Sequence, residues 1–280
     1  MDTNNQIRKI ESVNEATGQP EYTAALKELL FQLADDDFIL AYRGSEWLGL
    51  APHIEEDVAF SSMSQDMMGH AVMLYTLLEE LGAGSSDDLA QLRSPEQFRN
   101  CILAERVNGT GGYMEQPHYD WMYAIVRFYM YGMYKQIRLD ALLDSSFTPL
   151  AHLARKMITE HRYHMMHWQT WMKQLATSNE EATARMTQAV QSVWEDLDGL
   201  LSLGAHGDAF NKHGLIEAEE VMRERFNEKT QAAFAAFHIA WLGDPQVSQV
   251  NGRLGQHTEE LASALTNISA VYKLDPTANW

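Results

Sequence analysis

Cysteine is all but absent from this chain of 280 residues: Cys101 stands alone. That excludes an internal disulfide framework and any cysteine-rich zinc module. Positive charge is scarce, with 21 Lys and Arg against 39 Asp and Glu and a formal net charge of −18. No basic cluster is present to neutralise phosphates, so nucleic-acid binding is not expected, nor is docking to an anionic membrane surface. No apolar run approaches the roughly 18 residues that a spanning helix needs, and the opening MDTNNQIRKIE lacks an apolar signal core. Strand signals are also thin: short β-branched runs bounded by turns hardly occur. The chain is expected to be soluble, acidic and cytoplasmic.

What is present is helical periodicity. Apolar residues make up 45% of the chain, enough for a packed core. Leu26, Leu29, Leu30, Leu33, Ile39 and Leu40 recur at helical spacing within 22–49. A second helix is expected over 53–82, restarting at Ala51–Pro52 with the proline in its first turn and stopped by Gly82 and Gly84. Residues 83–117 carry the breaker clusters GAGSSDD, SPE, NGTGG and QP. A third helix is expected over 118–144, and a fourth over about 148–176 with caps from SSFTP. Further helices should lie near 180–202, 215–240 and 258–273, the last capped by Thr258 with Glu259 and Glu260 at the positive end of its dipole. Residues 1–21 read as an N-terminal extension and 22–280 as one helical domain. Four long helices in two pairs, with a longer connection between the pairs, predict an all-α, ferritin-like four-helix bundle with additional C-terminal helices.

Bundles of this shape often hold two metals with Glu from two helices and Glu-x-x-His from the other two. Two segments invite the test: SQDMMGH (64–70) and TEHRYHMMHW (159–168). The position three before His70 is Met67, and three before His164 is His161, so neither motif has its Glu. Asp66 and Glu160 lie four before their histidines, also on the same helical face. An atypical set of Asp37, Asp66, His70, Glu160, His161 and His164 is therefore the alternative, metal-binding reading, as is a mononuclear zinc or nickel site on His161, His164 and His167. The mononuclear site has no fourth partner that the sequence names, and the third helix weighs against a pair of metals. From Trp121 to Leu139 it has no Asp or Glu, over roughly 28 Å at 1.5 Å per residue. Four positive charges from two ferrous ions would stay largely uncompensated there. The expectation is a bundle of di-iron shape without the di-iron site. Asp37 should pair with His70, His164 or a cation such as Lys135, one turn beyond Gly132. Within Asp35, Asp36 and Asp37, one residue is expected to face inward and the others solvent. The NGTGG loop at 108–112 lacks the Lys-Ser/Thr of a phosphate loop and follows no strand.

The segments RGSEWLGLAPHIEEDVAFSSMSQDMMGHAVMLYTLLEELG (43–82), ITEHRYHMMHW (158–168) and GQHTEEL (255–261) carry a resemblance. Its marks are Glu46–Trp47 with Ala51–Pro52, the Asp66 to His70 step, the RYH at 162–164 and the HTE at 257–259. Through them the chain resembles the PaaC family, the non-catalytic subunits of bacterial multicomponent phenylacetyl-CoA epoxidases, from about residue 22 to Trp280. The resemblance implies that the six ligand positions of the homologous catalytic subunit fall here on Asp37, Met67, His70, Gly132, His161 and His164. Its three central carboxylates would then be Met67, Gly132 and His161, leaving no catalytic residue and no metal in this chain. It further implies pairing with that di-iron subunit, which epoxidises the ring of phenylacetyl-CoA, and with further subunits. A reductase carrying FAD and an iron–sulfur cluster would supply electrons from NADPH. Tyr119, Trp121, Tyr123, Phe128, Tyr129, Tyr131 and Tyr134 make the third helix apolar on nearly all sides, and helices two and three are expected to share in a subunit interface. Isolated, the chain would form a homodimer through the surface meant for its partner.

Overall fold

The computed structural model describes residues 8–278. Its core is four long helices in two antiparallel hairpins. The first hairpin is α2 (Pro20–Ser45) and α3 (Ile54–Glu80); the second is α6 (Trp121–Leu142) and α7 (Thr148–Ala176). Short loops close each hairpin, and the connection from residue 81 to 120 carries the chain from one to the other, the connectivity expected from the spacing of the apolar segments. That connection holds two short helices, α4 (Ser86–Gln91) and α5 (Ile102–Glu105), and a ribbon of β1 (Gly109–Thr110) and β2 (His118–Tyr119). Gly109 pairs with Tyr119 across the ribbon, and Gly111 has φ +79°. A Cβ at Gly111 would fall on the Gln116 carbonyl, so NGTGG is turn chemistry.

The C-terminal third wraps the second hairpin. Helix α8 (Glu180–Trp194) and helix α11 (Glu219–Ala236) pack on α6. Between them lie α9 (Leu197–Leu201) and α10 (Gly207–Lys212), so the single helix expected over 180–202 breaks near Glu195. Helix α12 (Glu259–Ile268) closes over α2 and α5. At the other end, α1 (Val13–Thr17) precedes α2. Ile10 is buried and its backbone bonds to Ser146 and Thr148, tying this segment to the start of α7.

Local chemistry sets the helix ends. Asp120 accepts from the amides of Met122 and Tyr123, which starts α6 three residues later than the periodicity predicts. Thr258 caps α12 as expected, accepting from Glu260 N at 3.3 Å. Two expected ends differ. Pro52 lies ahead of α3, whose N-cap is His53, and three acids, Glu55, Glu56 and Asp57, occupy its first turn. No side chain caps α7: Ser146 is drawn away to the Tyr22 hydroxyl at 2.9 Å, and Pro149 lies in the first turn.

Helix α6 is buried on all sides by the chain itself. None of its residues is exposed; Trp121, Tyr123, Gln136 and Asp140 are the least covered. Its aromatic side chains pack against α7, α8 and α11, as in the contacts of Phe128 with Trp168 and Tyr134 with Phe226. The expectation that this helix offers an interface is corrected accordingly: its apolar girth is consumed within the chain.

Candidate functional site

Asp35, Asp36 and Asp37 are all buried, at 0%, 0% and 3% exposure, which corrects the expectation of a solvated face with one inward member. Consecutive helical residues point 100° apart, so burial of all three requires neighbours over a wide arc of α2. Each carboxylate has its own partners. Asp35 takes Arg93, the Tyr75 hydroxyl at 2.6 Å and the Arg99 amide at 2.7 Å. Asp36 takes Arg138 at 2.7 Å, both terminal nitrogens of Arg253 at 2.8 Å, and the Cys101 amide. These clusters bind α2 to the long connection, to α6 and to the C-terminal segment. Helical periodicity does not reveal them, because the arginines lie 58 to 217 residues away.

Asp37 faces the middle of the bundle. Lys135 of α6 donates to both its oxygens, at 2.6 and 2.7 Å, and Tyr131 donates to Oδ1 at 2.9 Å. Of the three expected partners, Lys135 makes the close contacts, His70 Nδ1 lies 3.7 Å from Oδ2, and His164 turns elsewhere; Tyr131, one helical turn before Lys135, is an additional partner. The same ammonium donates to His70 Nδ1 at 3.1 Å. His70 Nε2 in turn donates to Glu160 at 2.7 Å. Burial alone would raise the Asp37 carboxyl, but the Lys135 ammonium and His70 hold it well below the ordinary carboxylate range. Burial drives the Tyr131 hydroxyl far upward, and the Asp37 charge adds to this, so it remains a donor.

The other anticipated positions lie around this group without converging on one point. His164 Nε2 donates to Asp66 at 2.9 Å, so each acid serves the histidine of the opposite helix: Asp66 of α3 to His164 of α7, Glu160 of α7 to His70 of α3. His161 donates from Nε2 to the Gly132 carbonyl at 2.8 Å, and its Nδ1 is buried with no partner. Burial, reinforced by the Lys135 charge, lowers its imidazole to about 3, so it is neutral. His167 Nε2 lies 3.1 Å from a Glu56 oxygen without hydrogen-bond geometry. The row His161, His164 and His167 thus points to three different groups, the Gly132 carbonyl, Asp66 and Glu56, and forms no mononuclear site. Met67 is buried at the centre. At Gly132 a Cβ would sit 2.5 Å from the Met165 sulfur and 3.4 Å from the His161 ring, so a carboxylate there would have to displace Met165.

These residues do not fit a di-iron centre. A fixed ammonium already provides the positive charge between Asp37 and His70, and Met67, Gly132 and His161 bring no negative charge. Among the described residues no three His, Cys, Asp or Glu side chains are grouped to hold a metal ion. In the broader set, Asp66 is taken up by His164 and Glu160 by His70, Asp37 is held by Lys135 and Tyr131, and His161 turns to the Gly132 carbonyl.

Two further motif steps, Glu46–Trp47 and His257–Thr258, serve architecture. Glu46 bonds Arg43 at 3.0 Å and Asn108 at 2.8 Å, while the Trp47 indole donates to Asn108 at 2.9 Å. His257 and Thr258 both meet the fully buried Glu105, at 2.8 and 2.7 Å. Each set of bonds ties a helix to the connection between the hairpins.

A curated relative, one of the subunits of the 1,2-phenylacetyl-CoA epoxidase of Escherichia coli (strain K12), is 27% identical over 252 residues, which is 89% of this chain and 96% of the relative. A family model described as phenylacetic acid catabolic protein matches residues 5–280. With that match running through both hairpins and the C-terminal wrap, the chain belongs to the phenylacetic acid catabolic protein family.

Proposed function

We propose that this chain is a structural, non-catalytic subunit of a phenylacetyl-CoA epoxidase, pairing with and supporting a homologous di-iron subunit in aerobic phenylacetate degradation. The observation that carries the reading is the Lys135 ammonium, 2.6 and 2.7 Å from the two oxygens of Asp37 at the centre of the bundle. The pair neutralises the one buried carboxylate that faces this centre, so the fold holds together without iron. The similarity to an epoxidase subunit along most of both chains supports the same role. In this reading the di-iron centre that supplies oxygen activation belongs to the partner, and NADPH, FAD and the iron–sulfur cluster belong to a reductase. This chain brings no cofactor and no reacting group.

Reconstitution tests the reading. The carboxylate-intact homologous subunit of the same organism and its reductase are assayed for phenylacetyl-CoA turnover with and without this chain. Turnover should rise at least tenfold on its addition, and metal analysis of the isolated chain should find well under one iron per chain. Full turnover by the partner alone, or stoichiometric iron or manganese in this chain, would overturn it.

A further inference from the structure

The outward side of α3 has no use within the chain. Ile54, Val58, Ser62, Gln65, Gly69, Val72 and Thr76 are all exposed and none is charged. At 100° per residue they fall within an arc of about 80°, forming a strip roughly 33 Å long. Ile54, Val58 and Val72 are 71%, 61% and 55% exposed. Gly69 sits mid-helix with nothing within 4 Å of the Cβ it lacks. A glycine in an exposed helix interior costs about 1 kcal/mol against alanine, and neither packing nor backbone conformation in this chain calls for it. It leaves a notch where another backbone can approach.

Two further observations say what covers the strip. On one flank, between α2, α3 and α12, runs a groove of about 370 Å³ lined by Ala41, Leu48, Ser61, Ser64, Met68 and Ile268. The Ser64 hydroxyl within that lining is buried and has no hydrogen-bond partner. At the ends, the strip stops at Glu55 on one side and at Glu79 and Glu80 on the other, all exposed. A second copy of this chain laid in symmetric register would set these carboxylates against each other, in a protein already at −18. Self-pairing is therefore disfavoured, and a different chain with Lys or Arg at both ends of an apolar helix is favoured.

We propose that the outer strip of α3, with its notch at Gly69, docks an α-helix of a different subunit whose apolar stripe is bounded by basic residues. This rests on the function proposed above and places its partner contact on α3. It also sets aside the homodimer as the natural use of this surface.

The test compares the wild-type chain with Gly69→Arg, Val72→Glu and a control, Gln188→Glu, on the exposed side of α8. Melting temperature reports the fold, and titration with the carboxylate-intact homologous subunit reports docking. Gly69→Arg and Val72→Glu should melt no lower than wild type, the first somewhat higher, yet bind the partner at least tenfold more weakly; Gln188→Glu should bind as wild type. Equal binding by all four chains would overturn the docking surface while leaving the subunit role intact. Failure of the wild type itself to bind would overturn both. A wild-type dimer that Val72→Glu turns into a monomer would overturn the choice of a different chain over a second copy.

Discussion

Replacing Lys135 by Met tests the central claim that an ammonium, not a metal, balances this bundle. The side chain stays unbranched, loses one atom of its length and loses its charge. Asp37, 3% exposed, is then left with the Tyr131 hydroxyl and with His70 Nδ1 at 3.7 Å, and with no fixed cation. Removing one partner of a buried ion pair costs about 3–5 kcal/mol, because the remaining charge is stranded in low dielectric. For a domain of this size that lowers the melting temperature on the order of 10 °C. Adding Asp37→Asn removes the stranded charge and should restore at least half of the loss, so the two substitutions should couple by about 2 kcal/mol or more in urea unfolding monitored by circular dichroism. The deficit should also shrink in acid, where a lone Asp37 takes up a proton. A Lys135→Met protein within about 1 kcal/mol of wild type, or a double variant whose losses simply add, would refute the reasoning.

Acid should act through His161 as well. Its folded value of about 3 lies below the ordinary imidazole value, so the unfolded chain takes up a proton that the folded one refuses. Stability contributed by its neutrality is complete above about pH 6.5 and falls toward pH 3, by up to about 1.4 kcal/mol per pH unit. His161→Gln should flatten that part of the urea midpoint against pH; an unchanged slope would sink the assignment. Gly132→Ala should cost about 1–3 kcal/mol through its approach to the Met165 sulfur, and Met165→Ala should relieve most of it. Thermal unfolding that leaves Gly132→Ala at the wild-type value would contradict the packing described. Arg253→Met should cost about 3 kcal/mol by weakening the hold on Asp36. The same change at exposed Lys212, paired with Glu21 at 3.6 Å, should leave the unfolding midpoint unmoved.

The regular parts of the molecule are legible from local pattern. Apolar spacing over 22–49 and 53–82 places the first hairpin, Pro149 marks the start of α7, and Thr258 marks the cap of α12, because these signals act within a few residues. The same locality explains the errors. Asp35, Asp36 and Asp37 read as mostly solvent-facing because their arginines are distant in sequence, and Ser146 reads as a cap because its real partner, Tyr22, is 124 residues away. The aromatic α6 suggested an interface because nothing local announces that α8 and α11 will cover it.

What the sequence determined by itself is the helical architecture and the shortage of carboxylate at the bundle centre, since periodicity and charge are properties of the chain as written. Only the tertiary structure decided which cation meets Asp37, that Asp66 and Glu160 cross to the opposite histidines, and that α3 rather than α6 keeps a bare uncharged face. Those depend on which helices come to lie side by side, and side-chain partners across a bundle are fixed by packing in space, not by spacing along the chain.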